Sequence, residues 1–583
     1  MSVRPVGSWL RSASYVALAG CAGMDSTTSA EVTPAPLFTL DPPESTVAQE
    51  LPDPLPPGEA PEVCGQCALS CSAAQRCVDE VCTPRSDGVA RPLAPESLGR
   101  VTSQRPTFRW VLPARVQGAR FQLCRDRACR DVVQSVDLTG QTSFRPEAAL
   151  SPGVYFWRVR ARRGDFLSEK PTPVWEFVVG ARDAGTDTVL DRIPDYNGDG
   201  HADLALRVGD DRPVGVYLGG PEGLGQAPFA RVALPSGDEV RSSFTTVGDL
   251  DGDGFPEAVT VATRAGDPAQ RAVYVYHGGP MGFAAMPEQL RPLGGGERWP
   301  DTFSGVGDLN GDGYADLVGV DRERGDTPAR LRVFFGAAQG LQAASGVLLR
   351  GELGDDLGAS VSGNGDVNGD GRPDLLVGSP SATHPGLALV WINRPGTCLG
   401  AEITRLWGDD APASLFGHAV SVVGDYNGDG YGDPMVAEPY AAAATGLSRA
   451  MLFQGTRSGV STAPARTMPF GGAQIESMRL RAGGDFNGDG YGDAVAWMHN
   501  QGRGPSLSIF YGSPSGLPGE PARVVYASDL GSTDTALSFA WTGDSDRDGY
   551  DDLVLALQPT EWMWLRGSAE GLRVVHGPRL ELP

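Results

Sequence analysis

The stretch Asp195-Tyr-Asn-Gly-Asp-Gly-His-Ala-Asp203 is a nine-residue acidic pattern that recurs along most of this 583-residue chain. Neighbouring copies begin 54 to 60 residues apart, and the later ones start at Asp249, Asp308, Asp366, Asp425, Asp485 and Asp544. A nearly constant period of this length is typical of an array in which each repeat is one supersecondary unit. Residues 185–583 are therefore predicted to form a single repeat domain.

Each copy has the composition of a loop that wraps around a hard cation. Carboxylate or amide oxygens stand at positions 1, 3, 5 and 9, and the glycine at position 6 permits a sharp turn. An EF-hand does not fit, since it needs a helix on each side and a bidentate Glu at position 12. We predict up to seven structural Ca²⁺ ions with affinities on the order of 0.1–1 mM. The predicted ligands are Asp195, Asn197, Asp199, Asp203, Asp249, Asp251, Asp253, Glu257, Asp308, Asn310, Asp312, Asp316, Asp366, Asn368, Asp370, Asp374, Asp425, Asn427, Asp429, Asp433, Asp485, Asn487, Asp489, Asp493, Asp544, Asp546, Asp548 and Asp552.

The loops account for nearly all of the net charge of the chain. Five of them contribute three carboxylates each and two contribute four, which together approach the formal charge of −24. Without cations these carboxylates repel one another, so folding is expected to depend on calcium. The excess of 72 acidic over 48 basic residues also argues against a nucleic-acid partner, because phosphate backbones are bound by clustered Lys and Arg.

The segments between the loops have the pattern of short strands. Runs such as Asp203-Leu-Ala-Leu-Arg-Val and Asp374-Leu-Leu-Val-Gly follow the loops directly. About twenty residues later comes a Gly-rich turn, as in Tyr217-Leu-Gly-Gly-Pro-Glu-Gly-Leu, and the fourth such turn, near Trp391 to Gly400, is degraded. Each period thus reads as one four-stranded sheet, and the whole array predicts an all-β, seven-bladed β-propeller.

The repeats resemble the FG-GAP (VCBS-type) repeats of integrin α-subunit propellers and their bacterial relatives. The best copies pair Leu357-Gly358 with Val377-Gly-Ser-Pro380, and Phe416-Gly417 with Ala437-Glu-Pro439. The resemblance implies a propeller whose cation loops join the two innermost strands of each blade on one face of the disc. Other repeats keep the loop and lose the Phe-Gly pair, so the resemblance does not extend to the partners of integrins.

The first residues predict export and lipid anchoring. Arg4 and Arg11 precede a short apolar stretch that ends in Leu18-Ala19-Gly20-Cys21, which resembles a bacterial lipoprotein signal whose cysteine is acylated. Residues 1–20 would then be the signal peptide, and the alternative is an ordinary secreted leader with a chance cysteine. We expect an exported protein at the outer membrane or cell surface that is held to the membrane by the lipid at Cys21 alone.

Three further segments precede the repeat domain. Residues 21–62 are rich in Pro, Ser and Thr and predict a disordered tether. Residues 63–85 contain five cysteines without a nearby histidine, so a disulfide-rich module is favoured over a zinc site. Residues 97–180 alternate as strands do and resemble a fibronectin type III β-sandwich, in which Cys124 and Cys129 would form a disulfide.

The residue pattern favours a binding protein over an enzyme. The six histidines are scattered through different repeats without a nucleophile motif, and the aspartates already have a ligand role. The leading hypothesis is a calcium-stabilised, adhesion-type surface protein that presents its propeller to a glycan or protein ligand. Two alternatives stay open: a polysaccharide-acting enzyme with paired acids among its loops, and a structural or assembly component of the outer envelope.

Overall fold

The computed structural model describes four short strands between residues 63 and 84, and then residues 90–574 with gaps. The longest gaps are 180–193, 208–213, 291–298, 394–401, 441–447 and 531–537. The predicted signal peptide, Cys21 and the tether lie outside the described residues. The four short strands belong to one compact unit, and the described residues from 90 to 574 belong to a second. No helix in the described part of the chain is long and apolar enough to cross a membrane.

The cysteine-rich segment contains two antiparallel strand pairs. Strand β1 (Val63–Cys64) pairs with β2 (Leu69–Ser70), and β3 (Gln75–Val78) pairs with β4 (Val81–Pro84). The register of the second pair sets Cys77 opposite Cys82. The side chains of this unit are outside the described part of the structure, so its disulfides stay a prediction.

Residues 91–179 form two sheets, one with the order β10-β7-β5 and one with the order β6-β13-β11-β8-β9, in which β12 pairs with β11. The strands are β5 (Arg91–Ala94), β6 (Gly99–Val101), β7 (Phe108–Val111), β8 (Gly118–Cys124), β9 (Val132–Thr139), β10 (Ser143–Phe144), β11 (Gly153–Arg163), β12 (Phe166–Leu167) and β13 (Trp175–Val179).

The two sheets face each other across an aromatic core. Phe108 from the smaller sheet meets Phe121 and Trp157 from the larger one, with ring centroids 4.7 and 5.3 Å away. All three side chains are buried. Strand β5 lies before residue 97, where the sandwich was predicted to start. It was not predicted because Pro92 interrupts the alternating pattern. A proline nevertheless fits this edge strand, since its missing N–H costs no hydrogen bond.

The cysteines of this sandwich lie at the end of β8. Cys124 and Cys129 are joined by a disulfide with an Sγ–Sγ distance of 2.07 Å. Both are buried and pack with Phe156 of β11. The bond closes the turn that leads from β8 to β9.

Seven antiparallel sheets, here called A to G, follow one another in the described part of residues 204–574. Sheet A contains β14 (Leu204–Arg207), β15 (Val214–Tyr217) and β16 (Ala230–Val232); sheet B contains β17 (Asp238–Val240), β18 (Thr245–Gly248), β19 (Glu257–Arg264), β20 (Asp267–Tyr276) and β21 (Glu288–Gln289). Sheet C contains β22 (Thr302–Gly307), β23 (Asp316–Asp321), β24 (Arg330–Phe334) and β25 (Ser345–Arg350); sheet D contains β26 (Val361–Gly365), β27 (Asp374–Ser379), β28 (Leu387–Ile392) and β29 (Glu402–Trp407).

Sheets E to G continue the series. Sheet E contains β30 (Val420–Val422), β31 (Pro434–Glu438), β32 (Ser448–Leu452) and β35 (Arg466–Phe470), with β33 (Gly455–Thr456) and β34 (Gly459–Val460) forming a small hairpin in its turn. Sheet F contains β36 (Ile475–Gly484), β37 (Asp493–Asn500), β38 (Gly504–Phe510) and β39 (Arg523–Tyr526), followed by a 3₁₀ helix (Ala527–Leu530). Sheet G contains β40 (Ser538–Gly543), β41 (Asp552–Gln558), β42 (Glu561–Arg566) and β43 (Arg573–Val574).

The hydrophobic core of this domain lies between neighbouring sheets. Every residue of β27 and β28 is buried, as expected of strands that other sheets cover on both faces. Sheet A packs against sheet B and also against sheet G, where Leu204 and Tyr217 meet Val554 and Trp562. The first and last sheets are therefore neighbours, and the predicted all-β propeller fold is confirmed.

One glycine shows how closely the first and last sheets approach. Gly223 lies in the Gly-rich turn of sheet A with a φ of +90°, and a Cβ at this position would lie 1.9 Å from the Trp564 ring of sheet G. Glycine therefore meets two demands here, a left-handed backbone and the close approach of a neighbouring aromatic side chain. The packing of sheet A against sheet G therefore explains why the motif has a glycine at this position.

Candidate metal centre

The acidic loops are numbered one to seven in chain order. Loops two to seven connect consecutive strands of their sheets, and loop one leads into β14. In sheet B, for example, Asp249 follows β18 and Glu257 begins β19. All four predicted ligand positions are described in loops one, two, five, six and seven. Asp312 of loop three and Asp370 of loop four are outside the described residues.

Neighbouring loops are hydrogen-bonded to each other through their backbones. In loops three, five, six and seven the N–H at position 8 donates to the carbonyl at position 1 of the preceding loop, as Ala315 does to Asp249 (2.8 Å). Loops two and four have a proline at position 8 and lack this donor. The same bond joins loop one to loop seven, from Ala202 N to Asp544 O (3.2 Å). The loops therefore meet in a ring on one face of the propeller.

Within each loop, side-chain oxygens point inward and accept backbone N–H groups. In loop six, Asp489 N donates to Asp485 Oδ1 (3.0 Å) and to Asn487 Oδ1 (3.2 Å), and Tyr491 N donates to Asp489 Oδ1 (3.0 Å). Equivalent bonds occur in loops one, five and seven. These four loops thus have a defined fold in which the side-chain oxygens of positions 1 and 3 converge on the N–H of position 5.

The acid at position 9 has a second role that the spacing did not reveal. In loop six, Asp493 Oδ2 accepts the N–H of Phe486 and its Oδ1 accepts the N–H of Gly512, both at 2.8 Å. Gly512 begins the Gly-rich turn after the third strand, so one buried carboxylate joins the loop to that turn. The bond to the turn recurs for Asp203, Glu257, Asp316, Asp374, Asp433 and Asp552.

The turn of sheet D, which is degraded in sequence, keeps this connection. Asn393 N donates to Asp374 Oδ1 at 2.7 Å, and the Asn393 side chain donates to the Leu309 carbonyl of loop three at 2.5 Å. A backbone N–H is all that the carboxylate needs, so the glycine can be replaced here. The motif is lost in sequence while its structural contact is retained.

Three loops bring at least three carboxylates together. The groups Asp249-Asp251-Asp253, Asp425-Asp429-Asp433 and Asp544-Asp546-Asp548 each place three carboxylate oxygens within 4.8 Å of one another. In loop five, Asp433 is fully buried and its Oδ2 makes no hydrogen bond of normal geometry. Loops one and six, described at all four ligand positions, hold their carboxylates farther apart, and in both of them the position-3 amide nitrogen donates to the position-5 carboxylate, from Asn197 to Asp199 and from Asn487 to Asp489.

Burial makes negative charge costly in these loops. Desolvation raises the pKa of Asp203, Glu257 and Asp544 to about 8. Burial, and then the charge of neighbouring loop aspartates, holds the pKa of Asp485 well above its ordinary range. The pKa of Asp493 is raised in the same way. A bound divalent cation would remove this penalty, because it compensates the clustered charge directly.

The residues present fit a calcium ion. Ca²⁺ takes oxygen ligands at about 2.3–2.6 Å and tolerates irregular geometry. Loop five offers three converging carboxylates, one of them fully buried. This donor set is the chemistry that calcium prefers, and it supports the predicted ligand role of the loops.

Side chains from the Gly-rich turns also reach three of the described loops, and this role was not predicted from the sequence. The residue before the turn glycine is His277 in sheet B, Gln454 in sheet E and Arg566 in sheet G. His277 Nδ1 lies 3.2 Å from Asp251 Oδ2, and Gln454 Nε2 donates to Asp429 Oδ2 at 3.1 Å. The Arg566 guanidinium contacts the carboxylates of Asp546 and Asp548. Their alignment at one position of the turn motif was the signal that could have found them.

Arg566 is expected to act as the cation of loop seven, because its guanidinium already compensates two of the four acids there. Arg566→Gln places in loop seven the residue that Gln454 supplies in loop five, and should add one bound Ca²⁺ per chain. The measurement is calcium content by atomic emission after equilibrium dialysis in millimolar Ca²⁺. Arg573→Gln, at an exposed arginine paired with Glu570, is the matched control. An unchanged count in Arg566→Gln would mean that the arginine does not compete with metal.

The repeats have recognisable relatives. The family model described as FG-GAP-like repeat matches residues 195–260 and 366–436, which include loops one, two, four and five. The chain is 33% identical to human integrin alpha-IIb over 160 residues, which is 25% of this chain and 15% of that protein. It is 36% identical to chicken (Gallus gallus) integrin alpha-6 over 108 residues, 18% of this chain and 10% of that protein. The chain thus carries FG-GAP-like repeats and an integrin α-like propeller, and it matches only a small part of these relatives' length.

Among solved structures, the chain is similar to AofleA from Arthrobotrys oligospora, with a TM-score of 0.32 and 10% identity. The match covers 58% of this chain and 87% of that one.

Proposed function

We propose that this protein is a calcium-stabilised, non-enzymatic binding protein whose propeller is presented at the cell surface to a glycan or protein ligand. The proposal depends above all on the ring of acidic loops, in which buried carboxylates converge and neighbouring loops are hydrogen-bonded to each other. The FG-GAP-like repeats and the integrin α relatives support a binding role over a catalytic one.

The loops would use calcium to hold one face of the propeller in a single conformation. Asp425, Asp429 and Asp433 would bind the ion in loop five, and oxygens at the predicted ligand positions would bind it in the other loops that take calcium. Bound calcium supplies positive charge and fixed coordination. The position-9 carboxylate links each loop to the Gly-rich turn of the same sheet, so ordering of the loop also orders that turn. A rigid face of this kind reduces the entropy that ligand binding would otherwise cost.

The segments before the propeller would hold it away from the membrane. We propose a lipid at Cys21, a tether over residues 21–62 and then the cysteine-rich module and the sandwich as a stalk. This order fits export to an outer membrane or cell surface, with the lipid as the only membrane contact.

The full chain should bind ligands of one chemical class on a glycan array or on an array of secreted and surface proteins, and EDTA should reduce this binding at least about tenfold. The calcium dependence follows from the ordering of the loop face. Hydrolysis or elimination of an arrayed polysaccharide would replace the proposal with the enzyme hypothesis. Binding to neither array would leave an envelope-assembly role and contradict a ligand-presenting propeller.

A further inference from the structure

Loop two differs from the other described loops because a histidine faces its acids. His277 Nδ1 lies 3.2 Å from Asp251 Oδ2 and 3.7 Å from Glu257 Oε1. The ligand atoms of these three residues all lie within 4.8 Å of one another. Glu257 is fully buried, and His277 sits at the end of β20 with 29% of its side chain exposed. The site therefore combines an imidazole nitrogen with two carboxylates.

The orientation of the ring is set from its far side. His277 Nε2 lies 3.0 Å from Glu288 Oε2 of strand β21, in hydrogen-bond geometry. If Nε2–H donates to Glu288, the neutral tautomer leaves the Nδ1 lone pair toward Asp251 and Glu257. Nδ1 itself is buried and makes no hydrogen bond of normal geometry. A carboxylate that orients a histidine so that its other nitrogen faces an acidic pocket is the usual outer shell of a metal-bound imidazole.

We propose that loop two is a site for a divalent transition-metal ion such as Zn²⁺, bound by His277, Asp251 and Glu257, with Glu288 as the positioning residue. The inference rests on the proposed cation-binding role of the loops and changes the identity of one ion. Calcium prefers oxygen ligands alone, whereas imidazole favours zinc and its transition-metal neighbours.

The distances in the site are compatible with zinc. Bonds of about 2.0–2.1 Å in a tetrahedral site separate neighbouring ligand atoms by about 3.3–3.4 Å. The two distances from His277 Nδ1, 3.2 and 3.7 Å, lie on either side of that value. Small side-chain adjustments would complete the site, with Asp249 and Asp253 close by to supply a further oxygen. These distances do not distinguish zinc from calcium. The imidazole nitrogen does, because calcium prefers oxygen ligands.

The same contacts could arise without a metal ion if His277 were protonated. Its imidazolium would then form ion pairs with Asp251, Glu257 and Glu288. The metal-bound and the protonated His277 predict different results, because an imidazolium does not bind zinc and gives no visible absorption band when cobalt is added. A test of metal identity therefore separates the two.

The test uses the full chain, stripped by chelation and dialysed against millimolar Ca²⁺ with micromolar Zn²⁺, followed by measurement of both metals per chain. We expect one zinc that excess calcium does not displace. His277→Gln, which gives loop two the turn residue of loop five, should weaken zinc binding at least about 100-fold and leave calcium in the other loops. Glu288→Gln should weaken zinc binding about 10–100-fold. Gln454→Ala, at the equivalent position of sheet E, should leave zinc unchanged.

Cobalt gives a readout that a purely structural histidine would not change. Co²⁺ bound to the wild-type chain should show a visible absorption band that disappears in His277→Gln. Calcium binding without zinc, or zinc retained at full affinity in His277→Gln, would overturn this inference alone. Failure to bind either metal would overturn the calcium proposal as well, so the two failures are distinguishable.

Discussion

Chelation of calcium is expected to lower the Tm of the full chain by about 10 °C. At a free Ca²⁺ concentration ten times Kd, each bound ion adds about 1.4 kcal/mol to the free energy of unfolding. Several loops together would contribute about 6–8 kcal/mol, and in a domain of this size each kcal/mol moves the Tm by about 1–2 °C. The charge that the ions compensate is buried: Asp433, Asp493 and Asp552 are fully shielded from solvent.

The loss on chelation should be larger at pH 8 than at pH 5. In the metal-free folded chain, burial raises the pKa of Asp203, Glu257 and Asp544 to about 8, whereas in the unfolded chain these acids titrate near about 4. Between these values the folded state binds more protons than the unfolded state, so metal-free stability falls as the pH rises. Calcium acts in the opposite direction, because it binds the ionised carboxylates and is released when they are protonated.

Scanning calorimetry in EDTA and in millimolar Ca²⁺, at pH 5 and pH 8, measures both effects. Sodium chloride at matched ionic strength is the control, since salt screens exposed charges and does little for buried ones. Return of the original Tm when calcium is restored would show that the loss is reversible. Equal Tm values with and without calcium at pH 8 would mean that the loops are stable turns without a metal role.

The parts of the fold that depend on local pattern were predictable from the sequence. The strand predicted after loop four begins at Asp374, as the structure has it, because a buried apolar run directly follows the turn. The Phe-Gly element was also recognisable: Phe416 is buried and Gly417 N donates to the carbonyl of Ala437, within the paired motif. Local turn chemistry and period were enough for these features.

The missed features all depend on residues that are distant in sequence. His277 and Arg566 reach their loops from a turn about twenty residues later, and only the register of the second and third strands shows where they point. The contact between loops one and seven joins residues at opposite ends of the repeat array. The hydrogen bonds of the position-9 acid to the loop and its turn could not be predicted. The same aspartate or glutamate can be a metal ligand or a hydrogen-bond acceptor, and the sequence does not show which.

Substitution of Asp493 by leucine is expected to destabilise the propeller even when no calcium is present. Leucine has nearly the shape of aspartate but no acceptor, so Asp493→Leu leaves the N–H groups of Phe486 and Gly512 unpaired in a buried site. Each unpaired group costs about 1–3 kcal/mol. The expected loss is therefore about 2–6 kcal/mol in EDTA, measured by denaturant unfolding. Asp493→Asn keeps one oxygen acceptor and removes the buried charge, so its loss should be smaller.

Asp489→Ala separates the two roles of these acids. Asp489 lies in the same loop and is a predicted calcium ligand, but it is partly exposed, and the bonds it accepts from Asn487 and Tyr491 lie within its own loop. Because the described bonds to Asp489 are local and partly exposed, its removal should abolish most of the calcium-dependent gain of loop six while changing stability in EDTA by less than about 1.5 kcal/mol. If Asp493→Leu matched Asp489→Ala in EDTA, position 9 would be a ligand and nothing more. A clear difference would show that one carboxylate joins the loop to its turn before any metal binds, so that calcium stabilises a connection that the chain has already formed.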